Sequence, residues 1–270
     1  MVSNWTIFGA EGFLGRHLVS ELSARGAGVR SVQRDNWPDK DEFLGNVIYA
    51  AGLTADFRSK PFETARLHVD LIRHVLQSYT FGSLLYLSST RVYRGATSTC
   101  ETAPLQVQPN DPDELYNLTK LTGECLCLAS GMPGVRVARL SNVIGVGDVS
   151  DVFLTSVLGE AVETGKVTLR TAPSSSKDYI EATDAARMMI RIASEGKERL
   201  YNVAAGTNVS HAEISEVLRS LGVEVAFHED AAEVVFPEIN IDRYRDEFGH
   251  RLRPFGEMFS AVFHRLKTGG

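Results

Sequence analysis

Three side chains in this sequence could together handle a proton at an alcohol or a carbonyl group. Tyr116 and Lys120 are four residues apart, and residues at that spacing share one face of a helix. A neighbouring ammonium stabilises a phenolate, which would lower the pKa of tyrosine from about 10 towards neutral pH. Tyr116 is therefore a candidate general acid or base. Ser89 follows a hydrophobic run, and a hydroxyl there can hydrogen-bond the reacting oxygen.

A second candidate site is made of glycine. Gly9, Gly12 and Gly15 follow a predicted strand and open a predicted helix, with the spacing G-x-x-G-x-x-G. Such a turn lets the backbone approach a pyrophosphate, and the N-terminus of the helix offers free N–H groups to the phosphates. Glycines at this place can also be purely structural. We expect Phe13 and Leu14, which lie in the same turn, to contact the cofactor.

The elements that must position these groups alternate between strands and helices. Hydrophobic runs predict strands over 5–8, 29–32, 47–50, 84–87, 135–140 and 200–203. Helical spacing of apolar residues predicts helices over 13–24, 61–79, 112–129, 155–164, 184–194 and 210–221. Alternation with short connections predicts a parallel sheet covered on both faces and, through right-handed crossovers, doubly wound. The glycine turn and Ser89 then lie at the carboxyl edge of the sheet, where ligands bind in such folds.

The fold class that follows is α/β, a doubly wound parallel sheet (Rossmann) with a smaller, partly interleaved C-terminal substrate lobe. Residues 1–145 would form the dinucleotide-binding domain, completed by about 177–206. Residues 146–176 and 207–270 would form the small lobe. This second part of the chain is less regular in its hydrophobic pattern, and its boundaries follow from where the strand-helix alternation stops.

Composition excludes several classes of function. The chain has 270 residues and a net charge of -6, which argues against nucleic acid as its main partner. No apolar run approaches the roughly 20 residues that span a bilayer, and the N-terminus resembles a strand more than a signal sequence. The three cysteines are few and odd in number, which fits a reducing compartment. We expect a cytoplasmic protein with no membrane partner and no metal site.

Taken in order along one chain, these motifs resemble the extended short-chain dehydrogenase/reductase superfamily, also called the NAD-dependent epimerase/dehydratase family. The glycine turn matches its cofactor loop, Ser89 its catalytic hydroxyl, and Tyr116 with Lys120 its catalytic pair. Further matches are Val92-Tyr93, Arg139-Leu140-Ser141-Asn142-Val143, Lys177-Asp178-Tyr179-Ile180 with Asp184, and Tyr201-Asn202-Val203-Ala204 with Gly206. The resemblance covers most of the chain. It implies NAD(P) chemistry on a nucleotide-linked sugar, and a homodimer built from the helices at 61–79 and 112–129.

The resemblance also implies roles for single residues. Tyr116 would exchange a proton with the substrate, Lys120 would bind the nicotinamide ribose and lower the pKa of Tyr116, and Ser89 would hydrogen-bond the reacting oxygen. The further cofactor contacts would be Ala50, Ala51 and Gly52. The substrate contacts would be Ser89, Thr90, Arg91, Asn142 and Lys177. Lys177 stands where many members have an arginine for a diphosphate; lysine keeps the charge but loses the two-pronged contact.

The end of the second strand bears on the cofactor. An acidic residue there would accept hydrogen bonds from the ribose diol, but Gln33 occupies the place and Arg34 follows. A guanidinium favours a 2'-phosphate, so we predict NADP(H). NAD(H) is the alternative, because Asp35 would serve if the strand ended one residue later. Only some 12 residues separate Asp35 from the third strand, too few for the helix and strand that the family usually places there.

The residues after Ser89 limit the types of reaction that the site can catalyse. Family dehydratases carry an Asp-Glu pair at this place, whereas this chain has Thr90-Arg91, so dehydration is disfavoured. Hydride transfer at one carbon remains. We favour an NADPH-dependent 4-ketoreductase acting on a nucleotide sugar. The alternatives are a 4-epimerase that retains NAD, a reductase of another small ketone, and a cofactor-binding protein without catalysis.

Overall fold

The computed structural model of the protein describes residues 4–53, 56–147, 153–249 and 251–269. The strands in these ranges are β1 (Asn4–Phe8), β2 (Gly28–Val32), β3 (Asn46–Tyr49), β4 (Ser83–Ser89), β5 (Val135–Leu140), β6 (Asn142–Ile144), β7 (Lys166–Thr171), β8 (Ser176–Glu181), β9 (Leu200–Val203), β10 (Asn208–Ser210) and β11 (Glu224–Ala232). The α-helices are α1 (Phe13–Ala24), α2 (Pro61–Ala65), α3 (Leu71–Ser78), α4 (Leu115–Ala129), α5 (Phe153–Thr164), α6 (Ala182–Glu195), α7 (His211–Ser220), α8 (Asp242–Phe248) and α9 (Phe255–Lys267). Short 3₁₀ turns cover Asp56–Arg58, Thr90–Tyr93 and Pro112–Glu114.

Six strands of the described chain form one parallel sheet in the order β2-β1-β3-β4-β5-β9. Successive side chains of a strand point to opposite faces, so Val47 packs with α3 and α4 whereas Ile48 packs with α1 and α6. The central strands are continuous apolar runs because both faces of the sheet are covered. The chain leaves β1 first for β2 on one side and then for β3 on the other. The carboxyl ends of β1 and β3 therefore flank the crevice where such folds bind ligands.

The link between β2 and β3 is as short as the sequence indicated. Residues 33–45 add no strand to the main sheet; Phe43 only forms an isolated bridge with Thr80. As a result β2 is an edge strand. Within the link, Trp37 packs its ring 5.3 Å from the ring of Phe8, so this indole belongs to the core beside the first strand.

The helix predicted over 61–79 is interrupted. Residues Arg66–Asp70 form one π-helical turn between α2 and α3, a widening that often occurs at functional sites. Two buried tyrosines from the neighbouring strands supply hydrogen bonds to it. The Tyr49 hydroxyl donates to the Leu67 carbonyl at 2.6 Å, and the Tyr86 hydroxyl donates to the His68 carbonyl at 3.0 Å. The turn is thus anchored to the sheet next to the predicted catalytic helix.

The smaller part of the fold has a core of its own. Strands β10, β8 and β6 form a mixed sheet, and β11 pairs with β7 in parallel. Helices α5, α7 and α9 pack on these strands around Leu154, Leu169, Leu218 and Phe259. The predicted fold class is therefore confirmed, while the domain boundaries stay a prediction. Strands β6 and β10 are only three residues long, too short for a periodic signal in the sequence.

No helix in the described ranges has both the length and the apolar character that crossing a membrane requires. The thiols of Cys100, Cys125 and Cys127 are free.

Candidate active site

The glycine turn after β1 contains two glycines required by packing and one that leaves open space. A Cβ on Gly9, whose φ is 78°, would lie 2.8 Å from the Ala51 nitrogen. A Cβ on Gly15 would lie 2.1 Å from the Gly9 carbonyl oxygen. For Gly12 the Gly9 oxygen at 3.3 Å is the single neighbour within 4 Å among the described atoms. The first glycine therefore lets the turn lie against the end of β3, the third lets α1 pack on the turn, and the second leaves room for a ligand.

The helix that follows this turn fits a dinucleotide phosphate group. Gly12 is the N-cap of α1 and makes no side-chain cap, and the first turn carries no acidic residue. The uncapped N–H groups of Phe13 and Leu14 and the positive end of the helix dipole are thus available to an anion. A groove of about 530 Å³ lies beside the turn. It is lined by Ala10, Glu11, Arg16, Val19, Ser20, Ser31 and Gln33.

The end of β2 contributes a polar rim to this groove. Gln33 donates through its side-chain amide to the Glu11 carboxylate at 2.5 Å. Arg34 is 87% exposed and lies 3.4 Å from Glu63 on α2. Exposed pairs of this kind contribute little free energy, so the Arg34 guanidinium can exchange this partner for a phosphate.

The predicted catalytic residues come together at the carboxyl edge of the main sheet. Ser89 is the last residue of β4; its side chain accepts a hydrogen bond from the Arg91 nitrogen at 3.2 Å and lies close enough to Tyr116 on α4 to act on the pKa of that phenol. Lys120, one turn further along α4, donates to the Leu87 carbonyl at 2.9 Å. Its Nζ lies 5.9 Å from the centre of the Tyr116 ring and would lie 3.3 Å from a Cβ on Gly52. The helix therefore places the tyrosine and the lysine beside the backbone that follows β3.

The electrostatics of this pair differ from the prediction. Burial raises the pKa of Tyr116, opposed by the Ser89 hydrogen bond and the charge of Arg91. Burial also lowers the pKa of Lys120 to about 7, although Glu124 acts in the opposite direction. The expectation that the lysine makes the phenol more acidic is thus wrong for this structure. The reason is that both groups are almost completely removed from water, which penalises the charged form of each.

His68 belongs to the site and was missed in the sequence. It is completely buried in the π-helical turn, and its ring packs edge-on against Tyr116 with 5.4 Å between ring centres. Its Nδ1 lies 2.9 Å from the Thr119 hydroxyl. Burial and then the charge of Lys120 lower the pKa of His68 to about 2, with a lesser opposing effect of the Leu53 backbone. A lone histidine inside a helix carries no motif, so only packing brings this neutral ring to the site.

The predicted substrate contacts divide into two groups. Thr90 and Asn142 are used inside the protein: the Thr90 hydroxyl donates to the Leu140 carbonyl at 3.4 Å, and the Asn142 amide donates to the Asp178 carbonyl at 2.9 Å. Arg91, in contrast, has its guanidinium carbon 5.5 Å from the centre of the Tyr116 ring. Lys177 lies on β8, close enough to Arg91 for that charge to lower its pKa further after burial.

A buried charged network holds α4 in place. Arg139 on β5 pairs with both carboxylate oxygens of Glu124 on α4, with its Nη2 2.7 Å from Oε2. The same arginine donates to the Tyr93 hydroxyl at 2.9 Å, and Tyr93 donates to the Asn202 side chain at 2.8 Å. The network therefore ties α4, the helix that carries Tyr116 and Lys120, to β5, to β9 and to the segment after Ser89.

Comparison with known proteins identifies the family of the chain. The model of the NAD dependent epimerase/dehydratase family matches residues 5–204. A dTDP-4-dehydro-6-deoxy-D-allose reductase of Streptomyces bikiniensis is 24% identical over 260 residues, covering 80% of each chain. The structure of RMD from Pseudomonas aeruginosa complexed with NADPH is 22% identical, has a TM-score of 0.78 and covers 98% of this chain and 100% of that one. A UDP-glucuronic acid 4-epimerase from Bacillus cereus, in complex with UDP-glucuronic acid and NAD, is 16% identical, has a TM-score of 0.79 and covers 99% and 100%.

A nucleotide-binding α/β fold with a Ser-Tyr-Lys site at the carboxyl edge of its sheet defines the class of protein. The chain belongs to the NAD dependent epimerase/dehydratase family. It is thus an NAD(P)-dependent enzyme of that family. The solved structures share its fold, and at these identities they show no more than the fold.

Proposed function

We propose that the protein reduces a keto group on a nucleotide-activated sugar with NADPH, as a 4-ketoreductase does. The observation that carries this proposal is the meeting of Ser89, Tyr116 and Lys120 in one buried corner beside the open glycine turn. The relationship to a dTDP-sugar reductase supports it.

The protonation state of Tyr116 favours the direction of reduction. Because burial raises its pKa, the phenol stays protonated at neutral pH and is ready to act as a general acid. Bound NADPH would supply the hydride to the carbonyl carbon. Tyr116 then gives its proton to the oxygen that gains charge, while Ser89 holds the same oxygen by a hydrogen bond. Lys120 lies next to Gly52, where it would bind the nicotinamide ribose.

We propose NADP(H) as the preferred cofactor because of Arg34. The guanidinium lies in solvent just beyond β2, where a 2'-phosphate would extend from the adenosine, and Gln33 replaces the acidic residue that selects NAD. The neighbouring Asp35 is also exposed, so an NAD-retaining 4-epimerase is the second candidate.

The test measures the consumption of NADPH with a panel of 4-keto nucleotide sugars. The loss of NADPH absorbance reports the reaction. We expect turnover, and a Tyr116→Phe variant that binds NADPH but is slower by a factor of roughly 10² to 10⁴. A Tyr116→Phe variant as fast as the parent would reject the acid role. Purified protein that carries tightly held NAD and interconverts 4-epimers would favour the second candidate.

Cofactor preference is tested with two arginine variants. Arg34→Ala should reduce the preference for NADPH over NADH by at least about tenfold, since a charged hydrogen bond contributes roughly 1.5–3 kcal/mol. Arg25→Ala, an exposed arginine just after α1, is the matched control and should leave the preference unchanged. An unchanged preference in Arg34→Ala would reject the 2'-phosphate contact.

We further propose a cytoplasmic homodimer formed through α2, α3 and α4. Phe62 on α2 is 90% exposed, more than a large apolar side chain normally is in a monomer. Sedimentation of the parent and of a Phe62→Ser variant tests this arrangement, because the variant should shift towards monomer.

A further inference from the structure

Two cations of the candidate substrate site, Arg91 and Lys177, lack a carboxylate partner. Arg91 lies in the turn after Ser89, and Lys177 lies on β8 of the smaller sheet. Burial lowers the pKa of Arg91, and burial together with the charge of Arg91 lowers the pKa of Lys177. Within the described ranges, neither side chain is in an ion pair. Two like charges thus approach each other in a partly buried place.

The carboxylate of Asp113, whose charge acts on Arg91, has another partner. Asp113 receives two parallel hydrogen bonds from Arg58, at 2.6 and 2.8 Å. Arg91 donates to the backbone carbonyl of Asp113, at 3.1 Å, and not to its carboxylate. Its positive charge is therefore not neutralised by a side chain of its own.

The groups around Lys177 do not neutralise it either. The carboxylate of the next residue, Asp178, accepts hydrogen bonds from Ser141 at 2.5 Å and from the Gly206 nitrogen at 2.7 Å, on the side of the main sheet. His211 lies close to Lys177, but burial and the lysine charge lower its pKa to about 4. At neutral pH this imidazole is uncharged.

Uncompensated cations at this depth point to an anionic ligand. Removing a charge from water is costly unless an opposite charge pairs with it, and two neighbouring cations increase that cost. An anion between them would remove both penalties at once.

The position of Arg91 indicates which part of a ligand carries this anion. Its guanidinium carbon lies 5.0 Å from the Phe57 ring centre and 5.5 Å from that of Tyr116. Contact with two aromatic rings orients the planar guanidinium, which therefore lies beside the ring of the tyrosine that would deliver the proton. An anion bound there is close to the reacting carbon. The flat, two-pronged donor matches a carboxylate.

We propose that the sugar of the substrate carries a carboxylate, and that Arg91 binds this carboxylate next to the carbon that reacts at Tyr116. The inference rests on the proposed function, in which the substrate is a nucleotide sugar. It adds that the sugar is a uronate or a similar acid, whose carboxylate would also compensate the charge of the neighbouring Lys177.

The experiment uses two ligands that differ in one group, UDP-glucose and UDP-glucuronic acid. Binding of each is measured by calorimetry on the NADPH-saturated full-length protein. The parent should bind the uronate at least about tenfold more tightly. Arg91→Gln should lose that preference while its affinity for UDP-glucose changes less than about twofold, and Arg91→Lys should keep part of it.

Arg94→Gln is the matched control. This guanidinium is three residues away, 54% exposed and 3.6 Å from Glu114, so its removal should leave the preference intact. Equal binding of both ligands by the parent overturns the proposal. Equal weakening of both ligands in Arg91→Gln also overturns it, because Arg91 would then bind the diphosphate that they share.

Failure of the proposed function gives a different result. If no keto sugar is reduced but the parent still prefers the uronate through Arg91, the carboxylate site stands and the reductase assignment falls. If neither nucleotide sugar binds while NADPH does, the substrate class is wrong and the carboxylate site falls with it.

Discussion

Replacing Lys120 by methionine should stabilise the protein while it removes activity. The lysine is only 6% exposed, and this burial makes its charge unfavourable in the folded state. Methionine has a similar length and no charge, so it fills the same space without that cost. Keeping a buried lysine for the proposed reaction is thus expected to lower the stability of the folded protein.

The magnitude follows from the pKa of Lys120. Burial lowers it from 10.5 to about 7, and each unit corresponds to about 1.4 kcal/mol. At pH 7 the protonated lysine of the unfolded chain is therefore favoured by roughly 4 kcal/mol. Loss of the hydrogen bond to the Leu87 carbonyl costs about 1 kcal/mol. We expect Lys120→Met to raise the free energy of unfolding by about 3 kcal/mol at pH 7.

The gain must depend on pH with a definite sign. The unfolded chain keeps the lysine proton up to about pH 10.5, whereas the folded protein loses it near pH 7. Between these values the unfolded state binds more protons, so the stability of the parent rises with pH. The variant has no lysine at this position, so its stability lacks this dependence on pH. Its advantage should therefore shrink by about 2 kcal/mol between pH 7 and pH 9.

Urea unfolding followed by tryptophan fluorescence measures both effects. Lys40→Met is the matched control, because Lys40 is exposed and its removal should change the stability by less than about 0.5 kcal/mol. A Lys120→Met variant that is no more stable than the parent at pH 7, or whose advantage is the same at both pH values, would refute the reasoning.

Three further predictions concern packing around the site. Gly15→Ala would place a Cβ 2.1 Å from the Gly9 carbonyl oxygen, so it should cost about 1–3 kcal/mol of stability and weaken NADPH binding in titrations. The control is Gly159→Ala, at a helical glycine with open space around it, which should instead gain up to about 1 kcal/mol of stability. Glu124→Gln would leave the Arg139 guanidinium buried without its carboxylate and should lower the free energy of unfolding by roughly 3–5 kcal/mol; urea melts that match the parent would contradict this. His68→Ala would open a cavity against Tyr116 and remove the contact with Thr119, so kcat should fall about tenfold and stability by roughly 2–5 kcal/mol, with KM for NADPH nearly unchanged. A kcat equal to that of the parent would show that the ring only fills space.

The sequence alone determined the elements and the order of the site along the chain. The predicted helix over 13–24 and the predicted strand over 135–140 have the same bounds as α1 and β5. The pairing of Tyr116 with Lys120 on one helix face was also readable, as was the place of Ser89 at the end of a strand. These features depend on the spacing of residues that are close together along the chain, and the sequence shows that spacing directly.

Tertiary structure determined the pKa values of those residues and which distant residues contact them. Depth of burial raised the pKa of Tyr116 where the spacing predicted a decrease. Packing of a distant π-helical turn brought His68 to the phenol, and the smaller sheet brought Lys177 near Arg91. Desolvation and contacts between remote segments arise only when the whole chain is packed, so no local pattern in the sequence carries them.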